Sequence, residues 1–422
     1  MNLPLISIIL PTYNRSNYII RMIDSIIRQD YPNFEIVIFD DCSTDNTEDI
    51  IRKRYYKDNH IRYIKREKNL GSLANTADAI LNFELGEWTI LIGDDDAFIY
   101  NNYFSEAMSL ISKDKEIVMV SSNFYGVSRE TQKILKSFNY ANLFKKQIES
   151  GKDIFFRNRK CPGHVGGAAI YKTKILKLIY QEVSLNNLLS DNQSTMCSLF
   201  YGKVAFIDKY PYLWSMDLEG QNFALIKKDD KRNIGDAIKT VKWIYRTAKT
   251  VGKLNEDELN NYLNLMFVKI YYRLFKNFSM FNTSPKELIE YIKNKNDEFT
   301  VKLVNRYFNS NRQSIDEYNN FAICGTGDAS LHVSMLLKRL NKNICYYIDD
   351  FKNGENQGLQ IYKTYELKGL PKPDIYIIAV YNLDKEKSIR VKLQEAGIND
   401  EIIYTPKEIF AAELNKKNLV SL

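Results

Sequence analysis

Histidine is nearly absent from this chain and cysteine is scarce, and each shortage closes off a chemistry. Three histidines, His60, His164 and His332, stand far apart in 422 residues. They are too few for a multi-histidine metal centre, so any metal would sit among oxygen ligands. The five cysteines, Cys42, Cys161, Cys197, Cys324 and Cys345, are odd in number and form no Cys-x-x-Cys pair. That pattern argues against a zinc ribbon and a disulfide framework, and reads as reduced intracellular thiols. No apolar run approaches the length of a membrane span. The opening MNLPLISIILPTYNRS is uncharged before a short apolar run and holds Pro11 within it, which reads as a buried strand rather than a signal peptide. A cytoplasmic protein is expected, with peripheral contact at the inner face of the membrane left open. Charge is not extreme either: the net +7 favours acidic partners without choosing among them. No nucleic-acid-binding motif accompanies it, so nucleic acid is not an expected partner.

What is present is apolar and aromatic. Hydrophobic residues are 45% and aromatics 13% of the chain, with 29 tyrosines, enough for packed cores in the two or three domains that this length implies. The run LISIIL (Leu5–Leu10) reads as a strand stopped by Pro11-Thr12-Tyr13-Asn14. Ser16 can cap a helix whose Ile19, Met22, Ile23, Ile26 and Ile27 follow a 3.6-residue period. FEIVIF (Phe34–Phe39) is a second strand ending at Asp40-Asp41, and Thr44 or Asp45 can cap the next helix, with Glu48 in a capping-box position. IRYI (Ile61–Ile64) is a third strand, Asn69-Leu70-Gly71 opens a helix to about Asn82, and EWTILI (Glu87–Ile92) is a fourth strand.

Strands that alternate with helices long enough to cross over predict a parallel, twisted sheet covered on both faces. In such α/β sheets ligands bind at the carboxyl ends of strands. Three polar clusters fall there: Thr12-Tyr13-Asn14, Asp40-Asp41 and Asp94-Asp95-Asp96. Adjacent carboxylates repel, and a strand end is a costly place to keep three. A hard divalent ion, Mg²⁺ or Mn²⁺, makes sense of them, because it takes oxygen ligands and bridges carboxylates to substrate phosphates. The plainer alternative is a solvated acidic turn; the two companion clusters on the same edge favour the metal.

Four stretches, SIILPTYNRSNYI, FEIVIFDDCSTDNTEDII, NLGSLANTADAI and WTILIGDDDAF, resemble the successive motifs of family-2 inverting glycosyltransferases with the GT-A fold. The resemblance covers roughly the first half of the chain. It implies a doubly wound mixed sheet and a UDP-sugar donor. Pro11, Thr12, Tyr13 and Asn14 would line the nucleotide pocket, with Tyr13 against the base, and Asp41 would accept a hydrogen bond from the base imide. Asp94–Asp96 would supply the motif that holds Mn²⁺ or Mg²⁺ on the diphosphate, with Asp95 and Asp96 the favoured metal contacts and Asp94 and Asp95 toward the nucleotide sugar. The family often has Asp where Gly93 stands. Asp191, in LLSDNQSTMCSLFYG, would be the general base that deprotonates the acceptor hydroxyl; a simple helix cap is its alternative, and Ser190 replaces the family's usual Glu. Gly163, Gly166 and Gly167 would let backbone approach an acceptor, with His164 as a contact or a surface residue. Arg157, Arg159 and Lys160 would meet a phosphate or form a solvated face. Trp214 and DLEGQN could close over the donor.

The boundaries implied are a GT-A domain over residues 1–220, a helical segment over 221–318 and a small α/β domain over 319–422. The helical segment carries Trp243, Tyr245, Lys249, Lys269, Tyr271, Tyr272, Arg273 and Lys276, a stripe that is core or a lipid-facing surface, with core favoured. In the last segment Gly325, Gly327 and Ser330 follow a strand and open a helix, and Asp349-Asp350 end the next strand. That is a dinucleotide-fingerprint layout lacking its third glycine, and it resembles the small Rossmann-like domain of bacterial sugar-modifying enzymes. Gly325, Gly327 and Asp349 are its candidate ligand residues. The function expected is metal-dependent, inverting transfer of a hexose or N-acetylhexosamine from a UDP-sugar to a glycan or lipid-linked glycan in bacterial surface polysaccharide synthesis. A non-catalytic sugar-nucleotide sensor or scaffold is the alternative. A nucleotidyltransferase ranks last, since PTYNRS has no glycine to form a phosphate loop. Homo-oligomer formation is left open.

Overall fold

The computed structural model describes residues 3–157, 166–181, 191–216, 231–263 and 312–415, together with residues 275–276, 278–279, 287, 290 and 299. The chain divides into two compact units, one of residues 1–223 with 243–262, the other of residues 224–242 with 263–422. Among the described residues no helix is long and apolar enough to cross a membrane.

The first unit opens with β1 (Ile6–Thr12), α1 (Ile19–Ile27), β2 (Phe34–Asp40), α2 (Thr47–Tyr55), β3 (Ile61–Lys65), α3 (Ser72–Asn82) and β4 (Trp88–Leu91). β5 (Ala97–Phe98), α4 (Tyr103–Lys113), β6 (Ile117–Ser122), β7 (Phe124–Ser128), β8 (Ile134–Phe138), β9 (Ile148–Ser150) and α5 (Gly151–Arg157) follow. β10 (Gly167–Lys172), α6 (Thr173–Gln181), α7 (Asp191–Ser198), β11 (Lys203–Ile207) and β12 (Tyr212–Met216) complete its strands. Two sheets result: an eight-stranded one in the order β3-β2-β1-β4-β10-β6-β11-β9 and a four-stranded one in the order β5-β12-β7-β8. The first four strands are parallel, as their alternation with helices predicts. β10 then lies antiparallel between β4 and β6, so the sheet is mixed, as the GT-A fold is. Ile6, Ile8, Ile9 and Leu10 of β1 are fully buried, which explains a continuous apolar run in place of an alternating one.

Pro11 does not stop β1, because its missing N–H is not needed. The Ile92 amide donates to the Ile9 carbonyl, so residues of that parity, Pro11 included, face β4. β4 has ended at Leu91 and asks nothing of Pro11. Ser16 does not cap α1 with its hydroxyl; its amide donates instead to Asp45 at 3.2 Å. Glu48 does not complete a capping box; it pairs with Lys65 and Arg52, each at 2.8 Å.

The second unit contains a six-stranded sheet, β15-β16-β14-β13-β17-β18, built from β13 (Asn320–Cys324), β14 (Asn343–Ile348), β15 (Glu355–Asn356), β16 (Leu359–Tyr362), β17 (Ile375–Ile378) and β18 (Ile403–Tyr404). All its pairings are parallel except β15 with β16. The helix Asp328–Arg339 links β13 to β14. On it His332 is buried, with Nδ1 2.5 Å from the Tyr381 hydroxyl. Burial, then the Lys276 charge, depresses the imidazole to about 4.

Candidate active site

β1 is the point at which the chain reverses. It builds outward through β2 and β3 on one side, then returns to place β4 on the other. At such a switch point the loops leaving the two strands diverge and open a crevice. Thr12 ends β1 and the 94–96 turn follows β4. Thr12 Oγ1 donates a 2.7 Å hydrogen bond to Asp94 Oδ2 across that crevice.

The first two loops are stitched together. Asn14, at φ 52, turns its side chain so that Oδ1 accepts from the Thr44 amide at 2.8 Å. Its own amide donates to Ser43 Oγ at 2.9 Å. Asn tolerates this left-handed backbone better than most residues. Tyr13 beside it is 46% exposed and leaves a ring available for stacking. Asp41 is buried and braces a third loop: Oδ1 accepts from the Leu70 amide at 2.7 Å and Oδ2 from the Gly71 amide at 2.8 Å. Asp40 accepts from the Ser43 amide at 2.7 Å and from the Tyr63 hydroxyl.

The three carboxylates of the 94–96 turn separate. Asp94 is buried, bonded to Thr12, with Oδ1 3.7 Å from Arg15 Nε. Burial pushes its carboxyl up, the Thr12 hydrogen bond pulls it back and the Asp95 charge raises it again, to about 6. Asp96 is buried more deeply. Its Oδ1 accepts from the Ser215 amide at 2.7 Å, and Oδ2 accepts from the Tyr212 hydroxyl. Burial, then the Asp95 charge, raises it to about 8. These two hydrogen bonds tie the 94–96 turn to the second sheet. Asp95 is the less buried of the three; its Oδ2 lies 2.8 Å from Arg129 Nη2. Its carbonyl accepts from Arg21 and from Ser215 Oγ. Gly93 has a local reason: a Cβ there would lie 2.7 Å from Asp96 Oδ2 and 3.2 Å from Asp95 Oδ1.

Gly166 and Gly167 are placed by packing. A Cβ on Gly166, at φ +135, would lie 2.1 Å from Ser121 Oγ and 2.3 Å from the Ser122 carbonyl oxygen; one on Gly167 would lie 2.5 Å from Phe124. The close approach that these glycines permit here is to Ser121, Ser122 and Phe124. Arg157 is engaged by Glu149 at 2.9 Å, and so is not a free phosphate contact. Trp214 is 42% exposed and meets Phe124 and Phe138 edge-on. Asp191 is the first residue of α7. His164, with Gly163, Arg159 and Lys160, lies outside the described residues, as does DLEGQN. A cavity of about 480 Å³ with Lys115, Lys172, Lys174 and Lys203 in its lining lies at the opposite ends of β6 and β11 and takes no part in this crevice.

In the second unit the candidate residues converge at another switch point, where β13 lies between β14 and β17. Gly325 has φ +109, and a Cβ there would sit 3.0 Å from the Ala379 carbonyl oxygen. Gly327 precedes the helix Asp328–Arg339 with open space around it. Asp349 Oδ2 accepts from Thr326 Oγ1 at 2.7 Å.

Sequence reasoning missed Arg21, Arg129, Tyr212 and Ser215, which reach the acidic turn from α1, the β7–β8 turn and β12. The pairing of β12 with β5 and β7 brings three of them close, and no local motif announces such pairing.

Sheet order, switch-point crevice and strand-end carboxylates define an α/β protein of GT-A architecture. Residues 7–179 match the family described as "Glycosyl transferase family 2", and that segment is a family-2 glycosyltransferase domain. The chain is 30% identical over 149 residues to a chondroitin synthase of Escherichia coli, covering 35% of this chain and 21% of that protein. It is 25% identical over 226 residues to the poly(ribitol-phosphate) beta-N-acetylglucosaminyltransferase TarS of Staphylococcus aureus strain Mu50, covering 52% of this chain and 36% of TarS. The chain thus spans well under half the length of these relatives. A crystal structure of S. aureus TarS 1-349 with UDP-GlcNAc superposes with a TM-score of 0.47 at 22% identity, over 65% of this chain and 73% of that one.

Proposed function

We propose that the first unit transfers a hexose or N-acetylhexosamine from a UDP-sugar, with inversion and with the help of a divalent ion, to a glycan or glycan-like acceptor of a bacterial surface polymer. The observation that carries this is the Thr12–Asp94 hydrogen bond across the switch point. It sets an acidic turn on the rim of a crevice whose other walls are Tyr13, Asn14 and the loop braced by Asp41. The relatives support the substrate class: one is a chondroitin synthase and another an N-acetylglucosaminyltransferase acting on a polyol phosphate.

The residues present fit a hard divalent ion. Among the described residues no three His, Cys, Asp or Glu side chains form a ready-made metal cage, and an ion shared with substrate phosphates needs only one or two carboxylates. Asp95 would hold it, with Asp94 alongside. When bound, such an ion would neutralise charge on the departing diphosphate. The remaining roles belong to side chains. The exposed ring of Tyr13 stacks on the base. Asp41 has lone pairs beyond the two that it gives Leu70 and Gly71, and offers one to the base imide. Arg15, beside Asp94, faces the phosphates. Asp191 takes the proton from the acceptor hydroxyl as the hydroxyl attacks the anomeric carbon.

The test is transfer and slow hydrolysis of a panel of UDP-sugars by the full chain with Mn²⁺, by wild type and Asp191→Asn. Turnover of one donor by wild type, lost in the variant while UDP binding persists, is the expected result. Donor binding without turnover under any condition would favour the sensor reading instead.

A further inference from the structure

Five lysines, Lys115, Lys152, Lys172, Lys174 and Lys203, line the cavity of about 480 Å³ at the amino ends of β6 and β11, against one carboxylate, Glu116. Lys203 is paired with Glu116 at 2.6 Å and with Asp114 at 2.9 Å, and Lys152 with Glu258 at 2.5 Å. Lys115, Lys172 and Lys174 have no carboxylate partner among the described residues. Lys172 holds its ammonium 5.9 Å from the centre of the Trp88 ring. Lys172 and Lys174 also flank Thr173, the first residue of α6. The start of a helix disfavours cations, and the first turn of α6 holds no acid to offset them. Stability of the fold alone does not explain three unpaired lysines gathered there; an anion among them does.

We propose that this cavity is a second anion site, which takes a phosphate group carried by a small molecule or by a lipid headgroup. Its volume is that of a small-molecule site. Its lining also holds buried Val118 and Phe200, and apolar neighbours strengthen contacts between charges. The three free ammonium groups come from separate places: Lys115 stands before β6, Lys172 ends β10 and Lys174 lies in α6. Their flexible stems let each donate to a different phosphate oxygen. A phosphate suits three cations better than a carboxylate does, because it brings more charge and more acceptor oxygens. The site is separate from the donor crevice. Lys172 pairs in register with Trp88 at the start of β4, whereas Asp94–Asp96 follow the end of that strand. Binding here needs no divalent ion and does not rest on the donor-site reading above.

The experiment titrates pyrophosphate into the full chain by calorimetry, in EDTA so that the donor crevice has no ion. A parallel arm measures cosedimentation with vesicles of anionic phosphatidylglycerol or zwitterionic phosphatidylcholine. Wild type is compared with Lys172→Gln/Lys174→Gln, with Lys115→Gln, and with Lys133→Gln/Lys136→Gln, which removes the same charge from the β7–β8 hairpin. Pyrophosphate is expected to bind wild type and the hairpin control alike. It should bind Lys172→Gln/Lys174→Gln at least about tenfold more weakly, the scale of lost charge-assisted hydrogen bonds, and Lys115→Gln more weakly in the same direction. Sedimentation of wild type and control, but not of Lys172→Gln/Lys174→Gln, with phosphatidylglycerol alone supports the site equally and makes a headgroup the source of the phosphate. Wild type that binds neither probe, or equal weakening in the two double variants, would overturn the proposal and leave the donor site untouched.

Discussion

Thr12 and Asp94 stand 82 positions apart in sequence and meet at the ends of adjacent parallel strands. Their 2.7 Å hydrogen bond closes the floor of the crevice and keeps a buried carboxylate supplied with a donor. Removing the hydroxyl while keeping the shape tests it. Thr12→Val should destabilise the first unit by about 1–3 kcal/mol, the usual cost of leaving a buried partner unsatisfied. It should also weaken UDP-sugar binding, measured by calorimetry, while Thr12→Ser restores both.

Asp95 and Asp96 are neighbours with opposite assignments. Asp96 faces Tyr212 and Ser215 and is raised to about 8, so it is mainly neutral at pH 7 and an amide is a close substitute. Asp96→Asn should change unfolding free energy at neutral pH by no more than about 1 kcal/mol and should keep Mn²⁺ binding. Loss of Mn²⁺ binding in a folded Asp96→Asn protein would return Asp96 to the metal.

Gly166 and Gly327 look alike in sequence and differ in surroundings. Gly166→Ala places a Cβ against Ser121 and Ser122 at a positive φ, and should cost more than about 2 kcal/mol in chemical denaturation. Gly327→Ala meets nothing within 4 Å and should be near neutral.

His332 gives the second unit a pH dependence of known sign. Its imidazole is depressed from 6.5 to about 4, so the folded form binds fewer protons than the unfolded form between those values. The stability it contributes is fully present above the unfolded pKa and is lost as pH falls toward 4. Lowering pH from 7 to 4 should cost on the order of 2 kcal/mol from this residue, seen as a fall in melting temperature that His332→Gln reduces. A variant with the wild-type pH profile would contradict it.

The legible part of the site was whatever lies within one strand–loop–helix unit. LISIIL, FEIVIF and EWTILI read as buried strands because both faces of the sheet are covered. The polar clusters after them read as a site because parallel strands point their carboxyl ends to one edge. What the sequence hid is long-range. Asp96 and Ser215 are 119 positions apart, and only the pairing of β12 with β5 decides that Asp96 turns inward while Asp95 stays at the rim. Nor does sequence reveal that Ser121, Ser122 and Phe124 press against Gly166 and Gly167. The antiparallel insertion of β10 between β4 and β6 was equally silent, since a strand's own residues do not state its direction.

The central claim is that the crevice at the β1–β4 switch point binds a sugar diphosphate through a divalent ion on Asp95. Calorimetric titration of UDP-GlcNAc and UDP into the full chain, with Mn²⁺ and with EDTA, for wild type and Asp95→Asn, tests it most directly. The account predicts Mn²⁺-dependent binding by wild type that falls at least tenfold in folded Asp95→Asn. Equal binding by the two proteins, or binding indifferent to EDTA, would contradict it.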